Sequence, residues 1–354
     1  MNNASYSDLI AQVQSANETL EPLCIHGGGS KHFYGHQCVG MAVNMTSVGG
    51  IIDYEPSELV ITARAGTLLS EIESVLEEEN QMLAFDPPRF GENTTIGGVV
   101  AAGLSGPGRP YTGAVRDYVL GIRCLTGQGA VLKFGGQVMK NVAGYDISRL
   151  MTGAMGTLGI LLEISLKVLP RPEIETGYMC RMDFVQALNQ MNMLARQPLP
   201  LSAAAYDGEK LLVRLSGRRS AVESAKHKLN MEDLSDSKDF WSGLRDQNLE
   251  FFSQNGHRLW RISVPATAPG LNLSGDWFID WGGAQRWLIS EESSENVRQV
   301  VTGEGGHATI FKRTENKDEI FHPLPPALFK LHQNLKYAFD PNRIFNPGKM
   351  YKEF

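Results

Sequence analysis

The alternation of apolar and polar positions predicts a regular series of elements through the first half of the chain. Residues 6–17 read as a short amphipathic helix with Leu9, Ile10 and Val13 on one side. Residues 22–25, Pro-Leu-Cys-Ile, follow as a short apolar strand. Residues 51–54 and 58–63 read as paired strands around a turn at Pro56. Residues 67–80 carry Leu68, Leu69, Ile72, Val75 and Leu76 at helical spacing, with acids outside and Thr67 as the cap. A short helix of small residues begins near Gly97, where Thr94 or Thr95 can cap it. Residues 115–125 and 130–134 form a hairpin-like pair about Gly127-Gln128-Gly129, and GILLEISLKVLP reads as a buried strand stopped by Pro170 and Pro172. Beyond it, helices at 182–197 and 220–229 alternate with strands at 210–215, 259–264, 277–279 and 287–289, an α+β pattern.

Glycine changes the picture at three places. The stretch 135–160 holds six glycines around one helical phrase, Tyr145 to Met151. Each glycine inside a helix costs about 1 kcal/mol relative to alanine, so this is a corner leading into a core strand. Residues 26–35, His-Gly-Gly-Gly-Ser-Lys-His-Phe-Tyr-Gly, follow a strand, and successive glycines free consecutive N–H groups to hold an anion. The order Gly-Ser-Lys does not match a Walker A loop, and no helix opens as a Rossmann turn requires. Residues 93–103 pair a threonine cap with Gly97 and Gly98, and SGPGRPYTG adds Arg109. A plain turn-rich connector remains the alternative for each loop alone. Together they suit one extended, pyrophosphate-linked dinucleotide.

Composition narrows the class. A chain of 354 residues, 42% hydrophobic, has material for two cores. The net charge of -6 argues against a nucleic-acid surface. Cys24, Cys38, Cys124 and Cys180 lie far apart and read as buried thiols of a reducing compartment. No basic and apolar leader opens the chain, and no apolar run reaches the ~20 residues of a membrane span.

The joint order of these motifs resembles the FAD-binding domain of the vanillyl-alcohol oxidase and p-cresol methylhydroxylase superfamily. The resemblance rests on IHGGGSKHFYG, Thr95 to Gly98, the Tyr111, Gly113, Arg116, Asp117 element, the phrase from Gly144 to Ile160, and the FDPNRIFNPGK tail. It implies an α+β fold: a p-cresol-methylhydroxylase-type, two-subdomain FAD-binding domain (residues 1–171), an α+β cap (172–320) and a C-terminal segment (321–354) returning to the flavin. The implied FAD contacts are Gly27, Gly28, Gly29, Ser30, Lys31, Thr95, Ile96, Gly97, Gly98, Gly103, Arg109, Gly113, Gly156, Gly159, Ile160, Asn346 and Lys349. Covalent members place a histidine where Ser30 stands, so non-covalent FAD is expected.

Chain length, the segment Trp277 to Leu288 and the phrases 305–313 and 321–324 are similar to the small FAD-binding subunits of bacterial glycolate oxidases. This implies a larger FAD-containing catalytic subunit, an iron–sulfur subunit and a small 2-hydroxy acid substrate. The place implied is cytoplasmic, with any membrane attachment through partners. Catalytic members carry a His-x-Gly-Asp-Gly-Asn-x-His phrase, whereas this chain has Gly303-Glu304-Gly305-Gly306-His307. A metal site is therefore not expected, and His307 is the one candidate proton acceptor, or else a hydrogen-bonded core residue. Arg261, Lys312 and Arg313 are candidates for a carboxylate, without an arginine pair at recognisable spacing. The tryptophans read as core or interface, with a partner surface placed around Trp277 to Trp287. A free-standing FAD oxidase and a non-catalytic flavin-binding interaction protein are the competing readings.

Overall fold

The computed structural model describes residues 6–136, 146–254, 257–312 and 319–354; Gly144, Tyr145 and Arg313 lie outside them. The N-terminal helix α1 (Ser7–Thr19) buries Val13 and Ala16. Strand β1 (Leu23–His26) pairs in parallel with β2 (Met41–Asn44). Next, β3 (Ile51–Glu55) and β4 (Val60–Arg64) pair antiparallel. Helix α2 (Leu69–Glu78) buries Leu69, Ile72 and Leu76. Thr67 does not cap it: its hydroxyl donates to the Arg64 carbonyl at 2.7 Å and accepts the Gly50 N–H at 2.9 Å, so it pins the preceding turn. Helix α3 (Ile96–Ala102) is capped by Thr95, whose hydroxyl accepts the Gly98 N–H.

Strands β5 (Val119–Leu125), β6 (Val131–Gly135) and, after the short helix α4 (Ile147–Met151), β7 (Ile160–Lys167) complete a five-stranded antiparallel sheet in the order β3-β4-β7-β5-β6. Residues 115–118, expected as strand, form one helical turn because the Asp117 carboxylate accepts the Ala114 N–H at 2.9 Å. β7 is central and serves two cores. Ile160 and Leu162 pack with α1, while Leu161, Ile164 and Leu166 pack with α2 and α3. Full burial of each such side chain contributes about 1.5–3 kcal/mol.

The chain then builds a second sheet from β8 (Ile174–Arg181), β9 (Leu201–Tyr206), β10 (Lys210–Gly217), β11 (Leu259–Ser263), β12 (Asp276–Asp280), β13 (Gln285–Ile289) and β14 (His307–Ile310). With the edge pair Glu232–Asp233 first, the order is β8-β10-β9-β12-β13-β11-β14, all antiparallel. Helices α5 (Phe184–Ala195), α6 (Arg219–Leu229) and α8 (Ser294–Gly303) cover one face, with α7 (Ser237–Asp246) on the other. Period-two alternation sorts the strands: Ala204 and Tyr206 pack under α5 and α6, while Ala203 and Ala205 face the other way. That second face, with Phe278, Trp287 and Phe311, packs on Tyr34, Leu104 and Met155 of the first unit. The candidate site lies along this junction.

The last helix, α9 (Pro326–Phe339), carries the chain back to the first unit. Buried Lys336 donates to the Thr157 carbonyl, the Asp340 carboxylate and the Phe345 carbonyl at 2.7, 2.7 and 2.8 Å. All three ammonium hydrogens are satisfied, which offsets the cost of burying the pair. Phe345 then bridges Leu23 in parallel.

Candidate functional site

The 27–30 loop and the start of α3 touch. A Cβ on Gly27 would lie 2.2 Å from the Thr95 hydroxyl, and one on Gly28 would lie 1.5 Å from the Asn93 carbonyl. Gly29 has φ +77°, a conformation that glycine adopts without strain. Among the described residues, no acceptor meets the backbone N–H of Gly27, Gly28, Gly29 or Ser30. Four consecutive unused donors on a half-buried loop need an anion or water. The Lys31 ammonium donates to Ser30 Oγ at 3.2 Å and the Arg89 carbonyl at 3.4 Å, and burial pulls it down to about 8.

The other glycines mostly support this loop from behind. Gly97 has no room for a Cβ beside the Ala65 carbonyl at 2.7 Å, whereas Gly98 meets only the Thr95 hydroxyl at 3.3 Å. Gly103 ends α3 against Gly153, and Gly156 abuts Asn346. Gly159 packs on the Leu125 carbonyl, while Ile96 and Ile160 are fully buried. Buried Asn346 accepts the Ile25 N–H and donates to the Met155 carbonyl, both at 2.7 Å, clamping the loop's strand to the glycine corner. The Lys349 carbonyl accepts the His36 N–H at 2.9 Å, and Gly113 closes the turn Arg109–Thr112 with φ +103°.

Cys24 and Cys38 are joined as a disulfide, against the expectation of four thiols; Cys124 and Cys180 are free. The parallel β1–β2 pairing, which the sequence did not reveal, brings the two ends of the loop together.

Arg109 packs on a ring of the second unit. Its guanidinium carbon lies 4.4 Å from the Trp281 ring centroid, and that of Arg261 lies 5.2 Å from the same centroid. The structure thus brings two arginines to one indole, a juxtaposition that no spacing announced. Trp281 Nε1 donates to the Gly106 carbonyl at 2.9 Å, and Arg261 Nε donates to Gln285 Oε1 at 2.7 Å. Gln285 Nε2 reaches the Asp280 carboxylate at 3.2 Å, which also accepts the Trp281 N–H at 2.7 Å. Burial pushes the Asp280 carboxyl up to about 7, the two hydrogen bonds and nearby arginines opposing.

The family model for FAD binding domains matches residues 3–135, and that for the C-terminal domain of FAD linked oxidases matches residues 314–350. Glycolate oxidase subunit GlcE of Escherichia coli (strain K12) is 46% identical over 345 residues, 98% of this chain and 97% of that protein. This chain belongs to the GlcE family of FAD-linked oxidases. The D-lactate dehydrogenase of Archaeoglobus fulgidus is 24% identical, covering 98% of this chain and 89% of that one. Glycolate oxidase subunit GlcD of Bacillus subtilis (strain 168) is 27% identical across 56% of this chain and 43% of its own length. Among solved structures, an alkyldihydroxyacetonephosphate synthase shares the fold with a TM-score of 0.68 at 17% identity, covering 97% of this chain and 74% of that one.

The cofactor of this GlcE-family chain is FAD, and the residues present fit it: the unused N–H row suits a pyrophosphate. The histidine candidate is less isolated than its sequence suggested. His307 opens β14 at an exposed edge, with the His322 ring 6.5 Å away between centroids. His322 Nδ1 already accepts the Ala308 N–H at 3.2 Å. Desolvation, then Arg261 and His322, push the His307 imidazole below its ordinary range. Among the described residues no group of three or more His, Cys, Asp or Glu is arranged to hold a metal.

Proposed function

We propose that this chain is the FAD-binding subunit of a multi-subunit glycolate oxidase, contributing to oxidation of glycolate to glyoxylate with electrons leaving through an iron–sulfur partner. The observation that carries this is the likeness to GlcE over nearly the whole of both chains. Bound FAD supplies a two-electron acceptor for a hydroxy acid. The chain's own task is to hold it. The N–H groups of Gly27 to Ser30 receive the pyrophosphate, Thr95 and Gly98 form the adjoining wall, and Asn346 keeps loop and corner in register. Lys31, Gly113 and Lys349 are further proposed contacts. Ile96, Gly97, Gly103, Gly156, Gly159 and Ile160 act through packing, and His307 is the proposed proton acceptor.

A larger FAD-containing subunit completes the complex in the cytoplasm, with any attachment to the inner membrane made through partners. Among the described residues no helix is long and apolar enough to cross a membrane. Ser30 offers no imidazole for a flavin bond, so the linkage is non-covalent. Acid precipitation of the purified chain tests this. FAD should appear intact in the supernatant; yellow colour kept by the precipitate contradicts the linkage, and absence of flavin from native protein contradicts the reading.

A further inference from the structure

We propose that Lys336 and Asp340 are a positioning pair for FAD, setting through Asn346 the glycine loop that receives the pyrophosphate. The inference rests on the loop reading above and deepens it, because it assigns the loop's geometry to a buried ion pair in the C-terminal segment.

The pair is deeply buried. Lys336 is the one buried residue of α9, its side chain 3% exposed and that of Asp340 0% exposed. Burial pulls the Lys336 ammonium below its ordinary range, with the Asp340 carboxylate opposing. Two ions taken out of water add little net stability, and an apolar pair of similar volume is often as stable or more so. What such a pair supplies is one defined arrangement, because each buried charge left short of a partner is costly.

The partners it selects lead to the loop. The ammonium donates to the carbonyls of Thr157, in the glycine corner, and of Phe345, in the tail. The carboxylate accepts the N–H groups of Ile344 and Phe345 at 3.1 and 2.8 Å, so Phe345 is held through both its backbone polar groups. A third segment closes on the carboxylate: a Cβ on Gly127 would lie 2.4 Å from Asp340 Oδ1. The residue after Phe345 is Asn346. Its φ of +41° is a left-handed conformation that asparagine tolerates but does not prefer. Its N–H donates to the Leu23 carbonyl at 2.9 Å. Its side chain spans from Met155, two residues before Thr157, to Ile25, two residues before Gly27. One end of that span is fixed by Lys336 at Thr157, and the other leads into the row of unused N–H groups. A shift of the tail against the corner therefore moves the loop.

The test is fluorescence titration of the full chain, freed of FAD, with FAD. Thermal midpoints are read beside it without FAD, since bound FAD would itself raise them. Lys336→Met leaves the Asp340 charge buried and unpaired, so midpoint and FAD affinity should both fall. Lys336→Met/Asp340→Asn removes both charges. Its midpoint should return close to the parent value, while FAD stays at least tenfold weaker than in the parent. Added to that variant, Asn346→Ala should weaken FAD little further, because both changes act on one link. FAD affinity that recovers together with the midpoint would assign the pair to the fold alone and overturn the proposal, as would a double variant that does not fold. Additive losses with Asn346→Ala would overturn it too, by removing the route through that residue. Affinity that falls with Asn346→Ala but not with the pair overturns the pair and leaves the loop reading standing. Affinity indifferent to both Gly28→Ala and Asn346→Ala contradicts the loop reading itself.

Discussion

At Gly28 an added Cβ would sit 1.5 Å from the Asn93 carbonyl oxygen, whereas at Gly98 its nearest neighbour is the Thr95 hydroxyl at 3.3 Å. The two substitutions to alanine therefore separate packing from cofactor contact. Gly28→Ala forces two backbones apart and should lower both thermal midpoint and FAD affinity. Gly98→Ala puts a better helix former into α3, worth up to about 1 kcal/mol, so its midpoint should hold or rise. Its FAD affinity should nevertheless fall by about tenfold, 1.4 kcal/mol. Scanning calorimetry beside FAD titration reads both; unchanged affinity in Gly98→Ala would remove that residue from the site. Asp280 makes a second prediction at this scale. Its carboxyl is raised to about 7, against roughly 3.9 in an unfolded chain. Between those values the folded protein holds a proton that the unfolded chain has released. Stability therefore falls as pH rises through that window, and the penalty is complete above it. Asp280→Asn removes the titration, so its midpoint relative to the parent should climb between about pH 5 and pH 8. A constant offset would mean the acid is ionised throughout. Neither Asp280 nor Gln285 was legible in the sequence, since each reads as one polar residue between two short apolar runs.

Among elements, the loop that offers its N–H row to FAD is tied at both ends. The Cys24–Cys38 disulfide spans 14 residues, a closure worth about 3 kcal/mol in the chain-entropy account. Reductant should lower the thermal midpoint and weaken FAD, and Cys24→Ser/Cys38→Ser protein should show both effects with no further response to reductant. Equal FAD affinity with and without reductant would show that the tie does not shape the loop. The pairing could not be read because β2 gives little strand signal: Met-Ala-Val-Asn is short and buries one residue, Val43. β9 was hidden for a related reason, its centre being serine and three alanines that need no amphipathic pattern once both faces are covered. Strands β4 and β7, rich in branched residues, were plain in the sequence, as were α1, α2, α5 and α6 with their apolar stripes.

Over the whole molecule, the two sheets meet through an aromatic junction, and this places the tryptophans. Trp281 and Trp287 are 5% and 4% exposed, so the segment expected to receive a partner is mostly interior. The order of glycine loops told of FAD because that order is local to the first 160 residues. Arg109 and Arg261 meet the same indole from two units, and separation along the chain concealed it. Arg214 makes a further tie, its guanidinium 2.9 Å from the Asp86 carboxylate across the same junction. The central claim, an FAD-binding subunit whose turnover needs its larger partner, is tested most directly by anaerobic stopped-flow mixing with glycolate while flavin absorbance is followed. The account predicts slow or absent reduction of the isolated chain's flavin and fast reduction once the larger subunit is present. Rapid, saturable bleaching of the isolated chain would contradict it.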